Sequence, residues 1–192
     1  MKLSPNRLFI ACAAASIACF GATSTFAAGM DHEKSVMVGG AAMLPSKNII
    51  ENAVNSKDHT TLVAAVKAAG LVETLSGSGP FTVFAPTNAA FAALPAGTVD
   101  SLLKPENKDK LTAVLTYHVV AGKMTASDIE AAAMKAGGTA VLKTVQGDSI
   151  KVMKAGGTWV VVDSKGGQSA ITIADVGQSN GVIHVVDKVL LP

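Results

Sequence analysis

Cysteine is scarce in this chain: only two occur among 192 residues, Cys12 and Cys19, and both lie close to the amino terminus. The rest of the chain has none, so we expect neither a disulfide nor a thiol nucleophile there. A domain in that part of the chain must therefore be stabilised by its core alone.

The first 28 residues have the order of a secretory signal peptide. Lys2 and Arg7 form a short basic segment, and the uncharged apolar run Leu8–Phe20 follows it. Small residues then lead to Ala27 and Ala28, and we expect cleavage after one of these two. The protein is therefore expected to be exported, either to the periplasm or out of the cell.

Two alternatives for this leader stay open. One is a retained N-terminal anchor, although Leu8–Phe20 is shorter than the roughly 20 residues that span a bilayer. The other is lipidation of Cys19, although Ser16-Ile17-Ala18 is a poor lipobox. Glycine, proline or charge interrupts every later apolar run, so we expect no membrane span after cleavage.

Arginine is absent from the expected mature chain, because the single arginine, Arg7, lies in the leader. Without Lys2 and Arg7, fourteen lysines balance fourteen aspartates and glutamates, and the mature net charge is near zero. A chain with no arginine and no basic excess is not expected to bind nucleic acid. The same neutrality permits weak self-association, because charge repulsion does not oppose it.

Catalysis and metal binding have little support in the sequence. Gly177–Gly181 (GQSNG) matches Gly-x-Ser-x-Gly, but a strand and not a helix is expected to follow it, so it is not a nucleophile elbow. Ser76–Gly79 is typical of a loop. The four histidines are His32, His59, His118 and His184. No two of them have metal-ligand spacing, although a fold could still bring His118 and His184 together. We therefore expect no enzymatic activity, no cofactor and no catalytic or metal-binding residue.

The amino-terminal half of the mature chain carries mostly helical signals. Residues 29–44 are polar and then rich in glycine and alanine, which predicts a flexible lead-in to a domain over residues 45–192. Asp58 is expected to cap a helix that Gly70 ends. Other helices are expected to begin at Pro45, Thr87, Thr98, Pro105 and either Thr125 or Ser127.

Short β-rich runs separated by glycine turns dominate the second half, with the spacing of an antiparallel meander. The expected strands are Phe81–Phe84, Val141–Val145, Ile150–Met153, Trp159–Val162, Ile171–Ile173 and Val182–Leu191. Helices followed by strands favour an α+β domain over a parallel α/β sheet. Trp159, the single tryptophan, is either half-buried core or a stacking platform for a sugar.

Three motifs resemble those of the fasciclin-like (FAS1) domain family. Thr82–Phe91 (TVFAPTNAAF) is similar to the first family signature and Asn180–Asp187 (NGVIHVVD) to the second, with the pair Tyr117-His118 between them. The resemblance covers residues 46–192 and implies an α+β fold. In this fold, two small, mainly antiparallel β-sheets form a wedge with helices packed around it. Asn88 stands where the family usually has aspartate, and either residue is expected to cap the following helix.

The resemblance also implies a function. FAS1 domains generally act in cell adhesion and bind matrix or cell-surface partners, with no established enzymatic activity. In animal members, integrin binding is assigned to the Tyr-His region and to an Asp-Ile pair just before the second signature. The matching positions are Tyr117, His118, Asp175 and Val176, which are candidate residues for binding a surface or matrix protein or a glycan. The alternative is that His118 and Asp175 only satisfy backbone groups, and burial distinguishes the two interpretations.

Two hypotheses for function follow from the sequence. The first is an exported, non-catalytic binding module that attaches cells to surfaces, hosts or each other. The second is a periplasmic carrier of a small apolar ligand, which requires an enclosed cavity of at least roughly 300 Å³.

Overall fold

The structure is a computed structural model that describes residues 35–95 and 97–192. The expected signal peptide, residues 1–28, lies outside the described residues, and so do residues 29–34 of the expected lead-in. Within the described part, no helix is long and apolar enough to cross a membrane.

A small antiparallel hairpin precedes the first helix. Its strands are β1 (Val36–Val38) and β2 (Ala41–Met43). Gly39 and Gly40 form the turn with φ of 58° and 75°, a backbone region that glycine adopts without steric cost. Val38 and Met43 are buried in the core. The prediction of a flexible lead-in over residues 29–44 is therefore wrong for this hairpin, because its glycines make a turn and its apolar side chains reach the interior.

Seven helices and two 3-10 turns account for most of the region between the hairpin and residue 135 of the described chain. The helices are α1 (Ile49–Asn55), α2 (Thr60–Ala69), α3 (Val72–Ser76), α4 (Asn88–Ala92), α5 (Thr98–Leu103), α6 (Lys108–Tyr117) and α7 (Ala126–Lys135). The 3-10 turns are Lys57–His59 and Pro105–Asn107.

Local capping chemistry fixes several of these boundaries. Thr87 and Thr125 accept hydrogen bonds from the first turns of α4 and α7, and Gly70 ends α2 with φ of 74°, as predicted. Asp58 does not cap α2: it lies within a 3-10 turn, and α2 has no side-chain cap from its own preceding residue. The first helix begins later than Pro45 predicts, because Asn48 forms a capping box with Glu51.

Seven strands form the main sheet, in the order β4-β3-β9-β8-β7-β6-β5. They are β3 (Phe81–Pro86), β4 (Val119–Ala121), β5 (Thr139–Lys143), β6 (Ser149–Ala155), β7 (Thr158–Val162), β8 (Gln168–Gln178) and β9 (Gly181–Val186). The strands from β5 to β9 pair antiparallel in sequence order, which confirms the predicted meander. One pair, β3 with β9, is parallel. The α+β class is therefore confirmed.

The main sheet curls until its two edges meet. The first residues of the long strand β8 pair with β7, and its later residues pair with β9. The two expected sheets are therefore continuous through β8, and its pairing with β9 shifts register on either side of Ile173. At the edges, Val120 of β4 forms a bridge with Thr144, and the Val145 N–H donates to the Val119 carbonyl at 2.7 Å. These contacts join the edge strand β4 to the end of the other edge strand, β5.

Two hydrophobic cores result from this arrangement. The first lies between the hairpin, the helices and the strands β3 and β9, and includes Val38, Met43, Leu62, Leu115 and Ile183. The second lies inside the curled sheet beneath α7, and includes Phe84, Tyr117, Ile129, Ile150 and Val161. Burial of each such side chain contributes roughly 1.5–3 kcal/mol, so the cores are the main source of stability in a domain without disulfides.

Candidate functional site

Tyr117 is the last residue of α6, and its side chain is completely buried in the second core. Its hydroxyl oxygen accepts a hydrogen bond from the Ser164 N–H at 2.9 Å and donates to the Ser149 carbonyl at 3.5 Å. The phenol therefore ties α6 to β6 and to the turn between β7 and β8. None of its polar or aromatic surface is open to a partner.

His118 follows directly and is also buried, at 2% exposure. The Val114 carbonyl lies 2.7 Å from Nδ1, and the Leu190 N–H lies 2.9 Å from Nε2. Because a carbonyl only accepts and an N–H only donates, Nδ1 must carry the proton and Nε2 must accept. Burial lowers the pKa of His118 to about 4, against the opposing effects of the Val114 carbonyl and Asp163. The ring is a neutral cross-link between the end of α6 and the C-terminal segment.

Asp175 and Val176 lie in β8, where its pairing with β9 is irregular. The Asp175 carboxylate is exposed and accepts a hydrogen bond from the Ala126 N–H, at the start of α7, at 2.7 Å. Its backbone has φ of 58°, a left-handed conformation that is uncommon outside glycine, although aspartate tolerates it better than most residues. The Val176 side chain is buried in the first core.

His184 connects this region to the second signature. Its Nε2–H donates to the Met124 carbonyl at 2.9 Å, and its Nδ1 accepts the Asp175 N–H at 3.3 Å. The ring is fully buried and stacks on Phe84, with 5.5 Å between ring centres. Burial lowers the pKa of His184, while the Met124 carbonyl and Asp175 oppose that shift.

The structure thus places three of the four candidate partner-binding residues inside the protein. Tyr117, His118 and Val176 have side chains that a partner does not reach in this conformation. The prediction of a contact surface does not hold for these three, because their burial serves packing and backbone hydrogen bonds. For Asp175, which is exposed, it stays a prediction.

Asn88 has a role that the sequence did not reveal. Its Oδ1 accepts the Thr61 N–H of α2 at 3.0 Å, and its Nδ2 donates to the Lys57 carbonyl at 2.8 Å. The expected role of capping the following helix, α4, belongs instead to Thr87. Asn88 caps α2, which precedes it in the chain, and its amide makes a donation that a carboxylate in the same place cannot make.

Asn180, at the start of the second signature, is similarly structural. Its Oδ1 accepts the Ile49 N–H at 3.1 Å, and its Nδ2 donates to the carbonyls of Leu75 at 2.8 Å and Gly77 at 3.0 Å. It therefore joins the start of α1 to the end of α3. No local sequence signal predicts these contacts, because the Ile49 partner is 131 residues away.

The apolar cavities of the described part are small. One of about 20 Å³ lies under the hairpin and is lined by Val38, Met43 and His59 among other residues. A second, of about 30 Å³, lies between α1, α2 and β3. The carrier hypothesis requires roughly ten times this volume, so neither cavity supports it. A larger space of about 380 Å³, near Ser101 and Lys110, is an open surface groove with both polar and apolar lining.

His59 is the buried histidine that the sequence left unassigned. Ser56 donates its hydroxyl to the Val38 carbonyl at 3.3 Å, and the His59 Nδ1 lies 2.9 Å from the same hydroxyl oxygen. Among the described residues, its Nε2 has no hydrogen-bond partner. Burial lowers the pKa of His59, with Asp58 and the Ala85 backbone opposing the shift. His59 is therefore held neutral beneath the hairpin.

No metal site is formed by the described residues: nowhere in them do three histidine, aspartate or glutamate side chains converge. His118 and His184 each have a backbone partner at both ring nitrogens. Neither ring therefore has a free lone pair for a metal ion, whatever the distance between them.

The outer side of the meander is a surface of mixed apolar and polar side chains. Along β5, β6 and β7, alternate residues point into the core and the others point to solvent. We call the outward set the meander face; its members are Thr139, Val141, Lys143, Ser149, Lys151, Met153, Ala155, Thr158, Val160 and Val162. Val141 is 61% exposed.

Comparison with known proteins agrees with this fold. The Fasciclin domain family model matches residues 57–192. The chain is 49% identical over 189 residues to protein sll1483 of Synechocystis sp., covering 93% of this chain and 97% of that protein. It is 38% identical to the immunogenic protein MPB70 of Mycobacterium bovis, covering 73% of this chain and 66% of that protein.

A solved structure shows the same fold at low sequence identity. The FAS1 domain pair of the insect cell adhesion molecule fasciclin I superposes with a TM-score of 0.67 at 19% identity. The match covers 76% of this chain and 51% of that longer chain. The matched family model and the shared fold establish that this chain belongs to the fasciclin domain family.

Proposed function

We propose that this protein is an exported, non-catalytic binding module that attaches cells to surfaces, hosts or each other. Its partners are proteins or glycans of a cell surface or matrix, and its place is the periplasm or the medium. The leader at residues 1–28 supports export.

The proposal rests on a difference between the polar side chains in the interior and the side chains on the surface. The buried polar side chains of the Tyr-His motif and of the second signature bond to backbone groups and hold elements together, as His118 and Asn180 do. The meander face, by contrast, presents Val141, Lys143 and Lys151 to solvent. A domain whose buried polar groups are bonded within the fold and whose exposed side chains lie on the surface suits binding better than chemistry. The fold shared with an insect cell adhesion molecule supports the same interpretation.

The test measures binding to envelopes isolated from the producing cells. It uses the protein purified after export, which we call the processed protein. The proposal predicts saturable binding, and weaker attachment of cells in which the gene is deleted. Unchanged attachment of the deletion strain together with no envelope binding contradicts the proposal.

Weak self-association accompanies this proposal. The near-zero net charge of the mature chain does not oppose contact between copies. Gel filtration over a range of concentrations should show a concentration-dependent shift, and a strict monomer throughout contradicts this part of the proposal.

A further inference from the structure

The hairpin of β1 and β2 forms a sheet of its own, and its two ends are held to the domain differently. It pairs with no strand of the seven-stranded sheet. At the end next to α1, the Leu44 N–H donates to the Asn52 Oδ1 at 3.0 Å, and the Leu44 carbonyl accepts from the Asn52 Nδ2 at 2.7 Å. At the tip, the Gly39 carbonyl accepts the Lys57 N–H at the longer distance of 3.3 Å. The hairpin is therefore fixed firmly at Leu44 and more weakly at its tip.

The tip lies directly on the 3-10 turn that carries His59. The Ser56 hydroxyl donates to the Val38 carbonyl at 3.3 Å, and the His59 Nδ1 lies 2.9 Å from the same hydroxyl oxygen. A Cβ at Gly39 would collide with this hydroxyl, so the hairpin approaches the turn as closely as its backbone allows. Because Ser56 donates its one proton to Val38, the His59 Nδ1 must carry a proton, and Nε2 is the atom that can gain one.

The hairpin also covers the cavity that His59 lines. Val38 and Met43 form one wall of this space of about 20 Å³. The remaining lining residues are apolar, Leu62 and Ile183 among them, and His59 is the one titratable side chain in the lining. Its Nε2 makes no hydrogen bond with any described residue. A proton gained at Nε2 would therefore bring a positive charge under an apolar cover, where charge is costly.

We propose that the hairpin is an acid-operated strap: a proton on His59 releases the tip, and the hairpin swings about Leu44 to uncover the apolar floor of the cavity. Release of the tip lets water reach the charged ring while the seven-stranded sheet keeps its pairing. The uncovered floor includes Leu62, Val83 and Ile183. This change does not depend on what the protein binds, and it goes beyond the proposed function.

The direction of the pH effect follows from the surroundings of His59. Burial lowers the pKa of the closed ring, although Asp58, an exposed neighbour on the same turn, and the Ala85 backbone both oppose that shift. A ring that reaches water in the open state has the ordinary pKa of about 6.5. The open state therefore takes up a proton first as the pH falls. Each pH unit below about 6.5 multiplies the ratio of open to closed protein by up to about tenfold, until the pH reaches the lowered pKa of the closed state.

The other two buried histidines do not act on the hairpin. His118 bonds to the backbones of Val114 and Leu190, and His184 bonds to the backbones of Met124 and Asp175. None of these partners belongs to β1 or β2. Their protonation weakens the domain as a whole, whereas that of His59 weakens the seat of the hairpin.

Thiol labelling of single-cysteine variants measures the release. Both cysteines of the chain lie in the leader, so each variant of the processed protein carries one thiol. Val38→Cys places the thiol in the buried wall at a position 3% exposed, and Met37→Cys, at a position 60% exposed, gives the intrinsic reactivity at each pH. A dithiodipyridine reagent has a good leaving group and reacts in acid as well as at neutral pH. The labelling rate of Val38→Cys relative to Met37→Cys should rise at least about threefold from about pH 7 to about pH 5.

Three further variants show whether His59 is the cause and whether the opening is local. Adding His59→Leu to both thiol variants removes the titrating ring, so the relative rate should no longer change with pH. His59→Gln is a second neutral replacement that answers the same question if leucine does not pack, and thermal melts establish that each protein is folded. Val161→Cys places the thiol in the second core, where it is labelled only when the whole domain opens. Its rate, measured against Met37→Cys, should not rise in parallel with that of Val38→Cys.

Each contrary result overturns the strap. A relative rate that does not change with pH shows that the hairpin stays closed in acid. A rise that persists in the folded His59 variants shows that another group drives the opening. An equal rise for Val161→Cys shows that acid unfolds the whole domain. None of these results bears on envelope binding, so the proposed function stands or falls by its own test.

Discussion

The His118 ring joins the end of α6 to the C-terminal segment, because its Nε2 accepts the Leu190 N–H at 2.9 Å while its Nδ1–H donates to the Val114 carbonyl. Only the neutral ring makes both bonds, since a protonated imidazole has no acceptor. The histidine of the family's Tyr-His motif is therefore a structural cross-link in this protein, and its protonation state is coupled to folding.

Acid should destabilise the protein through His118. A histidine in the unfolded chain has a pKa of about 6.5, whereas burial lowers the pKa of His118 in the folded protein to about 4. Between these values the unfolded state binds a proton that the folded state does not. The free energy of unfolding is therefore unaffected by this group above about pH 6.5, and falls by about 1.4 kcal/mol per pH unit down to about pH 4. The lowered pKa values of His59 and His184 act in the same direction.

Urea unfolding of the processed protein at several pH values measures this dependence. The variant His118→Gln should show a shallower slope because one titrating ring is gone, although its overall stability is lower. A titration of the His118 ring by NMR in the folded protein gives an independent readout. A midpoint near the ordinary histidine value, or equal slopes for the two proteins, contradicts the assignment.

The hairpin should be part of the domain, although the matched family region begins only at residue 57. Met43 is buried at 3% exposure, so Met43→Ala should lower the free energy of unfolding by about 2–5 kcal/mol. Met37 in the same hairpin is 60% exposed, and Met37→Ala should change the free energy of unfolding by less than about 0.5 kcal/mol. Denaturant unfolding of both variants checks the difference. Equal, small effects would show that the hairpin does not belong to the folded core.

Asp175 should stabilise the protein in two ways, through its bond to the Ala126 N–H and through its tolerance of a positive φ. Asp175→Ala loses the acceptor and also strains the backbone, for a total of roughly 2 kcal/mol. Asp175→Gly loses the acceptor alone and should cost about 1 kcal/mol less than the alanine variant. Thermal or urea unfolding measures both changes.

These two variants also test the remaining candidate contact residue. If envelope binding by the glycine and alanine variants falls equally although their stabilities differ, Asp175 itself contacts the partner. If binding follows stability, or stays unchanged in both folded variants, the role of Asp175 is confined to the fold.

The sequence predicted those features that depend on near neighbours. Gly70 ends α2 and Thr87 caps α4 because both signals act within one turn of helix. The meander was predictable because glycine turns separate its strands at short intervals. The family motifs were also sufficient for the α+β fold.

The features that the sequence did not predict depend on distant partners. Asn88 has the residue type of a cap, but its partner Thr61 lies 27 positions earlier, so it caps α2 and not α4. The edge contact between Val120 and Thr144 requires the whole sheet to curl. The burial of Tyr117 depends on the second core, which forms only when β5, β6 and β7 have paired. The resemblance to animal members of the family therefore placed a core tyrosine among the candidate contacts.

Thermal unfolding and envelope binding, measured on the same samples of Tyr117→Phe, test most directly whether the Tyr-His motif is structural. Removing the hydroxyl leaves the Ser164 N–H without its acceptor and should cost about 1–2 kcal/mol, or a few degrees in Tm. We expect this loss of stability together with unchanged envelope affinity at a temperature where the variant is folded. An unchanged Tm with lost binding would contradict it and return Tyr117 to the contact surface.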